Sequence, residues 1–161
     1  MNTPAPKPFQ VTVPADAEAT GYARRWQRVL DCVALKQPDR MPVAMYATYW
    51  LAKYAGITCR QMTYDYALAR SVAERAILEF DPDVYNPMVL QTTVGPALEA
   101  VGFKQLQWPG HGVGDNQPFQ YIDREYMFAD EYDDFLFDPT GFYLRKYLPR
   151  VADAYAGLEP I

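Results

Sequence analysis

KQPDRMPVAMYA, residues 36–47, is the stretch on which the reading of the fold turns. Lys36 to Arg40 are polar and carry a proline that cannot continue a helix. Met41 to Ala47 are mostly apolar and short, the composition of a strand buried on both faces. A loop that delivers a buried strand raises two questions: what precedes it, and what returns the chain to a neighbouring strand.

Upstream, Tyr22, Trp26, Val29, Leu30 and Val33 recur at helical spacing, while Arg24, Arg25, Gln27, Arg28 and Asp31 fall on the opposite face. This predicts an amphipathic helix ending before Pro38. Residues 1–17 hold Pro4, Pro6, Pro8 and Pro14 with little that could pack, and are expected to form a mobile arm. Residues 18–161 are expected to form the folded domain.

Downstream, Thr58 and Gln61 have the spacing of a capping box, and Asp65 can cap a longer helix running to Phe80. On that helix Ala69, Ala73, Ala76, Ile77 and Phe80 line one face, and Arg70, Glu74, Arg75 and Glu79 the other. VYNPMVL, residues 84–90, reads as a second strand. A short helix within PALEAVG closes on Gly102, a residue suited to the left-handed cap. FKQLQW, residues 103–108, alternates apolar and polar like a third strand. Strands alternating with helices predict an α/β fold with parallel strands, because parallel neighbours need a crossover connection. Farther on, Asp130 with Asp133 marks a helix start, and Pro139 after Asp138 marks another.

Composition narrows the classes of function. Of 161 residues half are apolar, and 15 basic against 20 acidic residues leave a net charge of -5. No run of Lys or Arg forms the basic stripe that a phosphate backbone requires, so nucleic acid is not an expected partner. No apolar run reaches the ~18–20 residues needed to cross a bilayer, and the N-terminus lacks a signal-peptide core, so no membrane association and a cytoplasmic location are expected. Cys32 and Cys59 lack the paired spacing of a zinc site, and no metal ligands are assigned. Both are expected to be reduced structural thiols, with Cys59, following Thr58 at a helix start where the dipole can lower a thiol pKa, as the less expected reactive alternative. Asp130 and Asp134 would share a helical face, which suits a solvated acidic surface.

Beyond these patterns, RVLDCVALKQPDRMPVAMY, residues 28–46, resembles the opening of the uroporphyrinogen decarboxylase superfamily, where a helix leads through P-D-R-x-P-V into the first barrel strand. EFDPDVYNP, ALEAVGF and ADEYDDFLFDPTGFYLRKYLPRV resemble later segments of its decarboxylase-like branch, which includes corrinoid-linked methyltransferases. The resemblance implies a (β/α)8 TIM-type barrel, usually ~250 residues long, so this chain is expected to be its N-terminal portion. An incomplete barrel leaves strand edges open, and self-association or a partner chain covering them is expected.

The resemblance also implies chemistry. True decarboxylases hold tetrapyrrole carboxylates with arginines just after the first strand, but Tyr46-Ala47-Thr48-Tyr49-Trp50-Leu51 stands there with both arginine positions empty. The aspartate position falls near Thr93. Literal uroporphyrinogen decarboxylation is therefore the least expected reading. Corrinoid-linked methyl transfer on a small molecule is the leading expectation, with a tetrapyrrole-like or small-molecule ligand. A non-catalytic binding or assembly domain of the same fold is the alternative. A corrinoid is the possible cofactor, and zinc would enter only if a C-terminal half supplied ligands.

Barrel enzymes meet ligands at the C-terminal ends of strands. That rule singles out Tyr46, Tyr49 and Trp50 after the first strand, Asn86 and Gln91 after the second, and Gln120 beyond the third as ligand-binding residues. In WPGHGVGDNQPFQYI, residues 108–122, His111 is the only histidine of the chain. Flanking glycines free its backbone, and Asp115 is near enough to pair with the imidazole, so His111 and Asp115 are the catalytic candidates.

Overall fold

The structure, a computed structural model, describes residues 21–86 and 92–158. The expected mobile arm, Gln91 and most of the second expected strand lie outside the described residues. Mixed helices and small sheets make an α/β fold, and no closed barrel is present among the described residues. None of the described helices is long and apolar enough to cross a membrane. The described residues divide into two compact units, one of 21–45 with Pro82–Tyr85, the other of Tyr46–Asp81 with Asn86 and 92–158.

In the first unit, helix α1 (Tyr22–Val33) precedes a two-stranded sheet of β1 (Ala44–Met45) and β2 (Val84–Tyr85). The strands are parallel, with Ala44 opposite Val84 and Met45 opposite Tyr85. The parallel direction agrees with the sequence reading. Burial does not: Met41, Val43, Val84 and Tyr85 are exposed, so the expected buried strand shrinks to two residues with open faces.

The apolar stripe of α1 is likewise open, with Val33 at 77% exposure, whereas Arg28, expected on the solvent face, is buried. The reason is ionic. Arg28 Nε and Nη2 grip the Asp39 carboxylate at 2.5 and 2.6 Å, and Nη1 donates to Asp83. The Asp83 carboxylate also accepts from Arg40 Nη1 at 2.6 Å, Arg40 Nη2 at 2.9 Å and the Val43 amide at 2.8 Å. One buried aspartate thus ties the helix, the loop before β1 and the turn into β2 together, with bidentate guanidinium forks supplying the geometry. The Arg28 hydrogen bond holds Asp39 well below the usual carboxylate range. Burial alone would raise Asp83, but the Val43 amide and the two arginines hold it low.

In the second unit, α2 (Trp50–Ala55), α3 (Cys59–Tyr64) and α4 (Tyr66–Phe80) follow one another. Local chemistry sets their ends as expected: Thr58 and Gln61 form a reciprocal capping box, and the Asp65 side chain accepts from the Leu68 amide. Ala69, Val72, Ala73 and Ala76 of α4 are buried together with Leu51, Ala52 and Met62. Helix α5 (Gly95–Val101) closes on Gly102 at φ 61°. Asp138 caps α7 (Pro139–Phe142), which follows α6 (Tyr132–Phe137) and leads through a π-helical turn, Tyr143–Tyr147, into α8 (Leu148–Val151). Ahead of α6, the Glu131 carboxylate accepts from the Phe128 amide and from both Arg150 Nη atoms at 2.5 and 2.6 Å. Asp134 pairs with Lys146 at 2.6 Å, a surface bridge within this helical cluster.

The expected third strand is real, but its partners differ from those expected. β3 (Leu106–Pro109) lies in a three-stranded sheet between β4 (Gly112–Val113), to which it runs parallel, and β5 (Gln120–Tyr121), to which it runs antiparallel. The cause is the Pro109-Gly110 turn. The His111 amide donates to the Trp108 carbonyl at 2.7 Å, with Gly110 at φ 87°, as a type II turn demands. The Trp108 amide returns a bond to the His111 carbonyl at 2.9 Å, so the chain reverses at once instead of crossing over.

Candidate functional site

Trp108 is the pivot of the second unit. Its side chain is 1% exposed, and its indole Nε1 donates to the Tyr64 hydroxyl at 3.0 Å. Tyr64 in turn donates to Glu99 Oε1 at 2.5 Å. Burial, then the hydrogen bond to the Glu99 carboxylate, pushes the Tyr64 phenol up, so it stays a neutral donor. On its ring face Trp108 stacks with the His111 imidazole, centroids 4.3 Å apart and planes 11° apart.

Two clefts share Trp108, Leu98 and Leu106 as lining. The larger, about 450 Å³, mixes apolar and polar walls and is the more polar of the two, with Glu99, His111, Gln107 and the Lys104–Asp153 ion pair at 2.5 Å among its lining. The smaller, about 260 Å³, is aromatic, walled by Tyr46, Tyr49, Trp108, Phe119 and Tyr121, with Thr48 as a further polar group. Tyr49 is nearly buried, and its hydroxyl is 2.9 Å from Thr63 Oγ1. Burial raises its phenol, which therefore acts as a fixed wall with a satisfied hydroxyl. Tyr49 meets Phe119 at 63°, and Phe119 meets Tyr121 at 88°.

The residues singled out in the sequence are distributed as follows. Tyr46 and Tyr49 come together in the aromatic cleft. Trp50 instead stacks on Tyr54 at 5.3 Å and tilts against Phe80, with Arg75 over the Tyr54 ring. Gln120 is exposed on β5, whereas its neighbours Phe119 and Tyr121 line the cleft. Asn86 is buried at both amide atoms with no hydrogen-bond partner among the described residues, an arrangement that costs free energy unless something else fills it. His111 is exposed at the edge of the polar cleft. The expected Asp115–His111 pairing does not form: the Asp115 carboxylate lies 3.8 Å from Arg60, and no hydrogen bond or ion pair joins it to the imidazole among the described residues. The two glycines curl the hairpin so that His111 is taken by the indole face instead.

Cys59 sits as a structural thiol, not as a reactive one. It is buried, and burial pushes its thiol up, outweighing any acidifying effect of its place at the start of α3. Among the described residues no three His, Cys, Asp or Glu side chains are placed to hold a metal, so zinc does not fit the donors present. A corrin macrocycle with its substituents is larger than either cleft, so neither encloses a corrinoid.

Trp108, Phe119, Tyr121, Tyr64 and Glu99 were not among the sequence candidates. Period-2 alternation in PFQY was the available signal, since it puts Phe119 and Tyr121 on one face and Gln120 on the other. Searches with this chain against protein-family models, curated proteins and solved structures gave no match.

Proposed function

We propose that the chain carries the opening strands and helices of a uroporphyrinogen-decarboxylase-like barrel, and that it takes part in corrinoid-linked methyl transfer on a small molecule. The observation that carries this reading is the aromatic cleft walled by Tyr46 and Tyr49, residues that follow β1 in the chain where barrel enzymes meet their ligands. The parallel β1–β2 pair, joined through three helices in sequence and left open on its faces, supports the same view. Any corrinoid would meet the protein from outside the two clefts. Among the described residues neither Arg nor Lys lines the aromatic cleft, which gives porphyrinogen carboxylates no partner from them and argues against true decarboxylation. Titration with cobalamin, followed by corrin absorbance, is expected to shift the spectrum saturably. An unchanged spectrum across a large excess of protein would remove the corrinoid from the proposal.

A second reading, a binding or assembly domain without chemistry, is favoured by α6. Leu136 and Phe137 are 71% and 92% exposed there, with Tyr132 one turn earlier also open. Sedimentation velocity separates the two: a defined oligomer disrupted by Phe137→Asp, with no cobalamin response, would support assembly.

A further inference from the structure

The shape and lining of the 260 Å³ cleft say more about what it admits than its aromatic character alone. A flat conjugated ring stacks best between parallel faces. Here successive walls stand at 63° and 88°, so Tyr49, Phe119 and Tyr121 make the sides of a box, not two jaws. Aromatic walls set steeply to one another suit a compact, roughly spherical guest better than a flat one, and ring faces carry the negative side of their quadrupole.

The lining also selects the kind of cation. Its lining includes no Asp, Glu, Lys or Arg among the described residues. A primary ammonium would lose water at three N–H donors, and only scattered hydroxyls would replace it. A quaternary methylammonium has no N–H to satisfy, its charge is spread over methyl groups, and aromatic faces can take the place of its weak hydration. The chain's net charge of -5 adds a long-range field that draws cations toward the surface. Tyr46 and Tyr121, 71% and 76% exposed, stand at the mouth with Tyr49 nearly buried behind them, so a head group can enter while the rest of its molecule stays in water.

We propose that this box binds a quaternary methylammonium group. The proposal concerns what the cleft admits and does not depend on the corrinoid reading.

Calorimetric titration of the full chain with choline chloride, beside its neutral isostere 3,3-dimethyl-1-butanol, tests it. Saturable choline binding with at least about tenfold preference over the isostere is expected, the size of one good cation–π contact. Tyr121→Leu and Tyr46→Leu, at exposed positions where folding should survive, are each expected to weaken choline by about fivefold to tenfold. Equal binding of the two compounds would mean a merely apolar pocket and would overturn the proposal, as would no choline binding by protein with an intact circular dichroism spectrum. Co-sedimentation with phosphatidylcholine vesicles, competed by choline, would assign the head group to a lipid. Choline binding without co-sedimentation would assign it to a free solute. Cobalamin titration of the same samples reports separately: choline binding with no corrin shift would sink the methyl-transfer reading and sustain this one.

Discussion

Replacing Trp108 should disturb more of the second unit than any other single change, because it is both a core residue and a wall of two clefts. An indole buries on the order of 200 Å², which at about 25 cal/mol per Å² is worth about 5 kcal/mol. Core Trp→Ala changes cost about 3–5 kcal/mol, so about 4 kcal/mol is expected for Trp108→Ala, whose side chain is 1% exposed in the parent. Trp108→Phe keeps an aromatic disc beside His111 but loses the 3.0 Å bond to the Tyr64 hydroxyl, about 1 kcal/mol. The void left by the smaller ring adds about 1 kcal/mol more. With a urea dependence of about 2 kcal/mol per M, the midpoints should fall by about 2 M for Ala and about 1 M for Phe. Far-UV circular dichroism in urea reads both, and it does not depend on the fluorescence of the tryptophan removed. A shift below about 0.5 M for Trp108→Ala would correspond to about 1 kcal/mol and would refute the placement of this ring in the core.

Three further outcomes test separate features. Gly110→Ala forces a Cβ into a residue at φ 87° and to within 3.0 Å of Arg60 Nε; a loss of about 1–2 kcal/mol is expected in urea titration, with Gly114→Ala, whose Cβ would meet only the Gln117 side chain at an ordinary 3.5 Å, as control. Thr58→Ala removes the cap accepted from the Gln61 amide at 3.0 Å, and should cost about 1 kcal/mol, read as faster amide exchange in α3. Glu131, held by Arg150 and the Phe128 amide, has its carboxyl lowered from 4.5 to about 2. Because the folded value is depressed, its contribution is fully present above pH 4.5 and fades as pH falls toward 2. Midpoints of the parent and Glu131→Gln should therefore differ at neutral pH and converge near pH 2; a gap that persists there would contradict the assignment.

How much of this was legible in advance depends on the range of the forces involved. The capping box at Thr58 and Gln61, the Asp65 cap, the Gly102 stop and the Asp138–Pro139 start all form where the residues predict them. The parallel sense of β1 and β2 was legible too, because the helices between them oblige the chain to return in the same direction. In the site, Tyr46 and Tyr49 were recognisable from their place after the first strand, whereas Phe119 and Tyr121 required the parity of a two-residue strand. His111 drew attention as a lone histidine, but its neighbour is an indole three residues back and its expected carboxylate went to Arg60.

By itself the sequence determined the helix ends at Thr58, Asp65, Gly102 and Asp138, since caps and turns satisfy backbone groups within four residues of one another. Only the tertiary structure decided that Arg28 turns inward, that β3 pairs with β5, and that aromatic rings from separate segments close into a box. Arg28 is buried because Asp83 lies 55 residues away and meets it. No local pattern can report a partner so distant, and burial of a charge is tolerable only where that partner is in place.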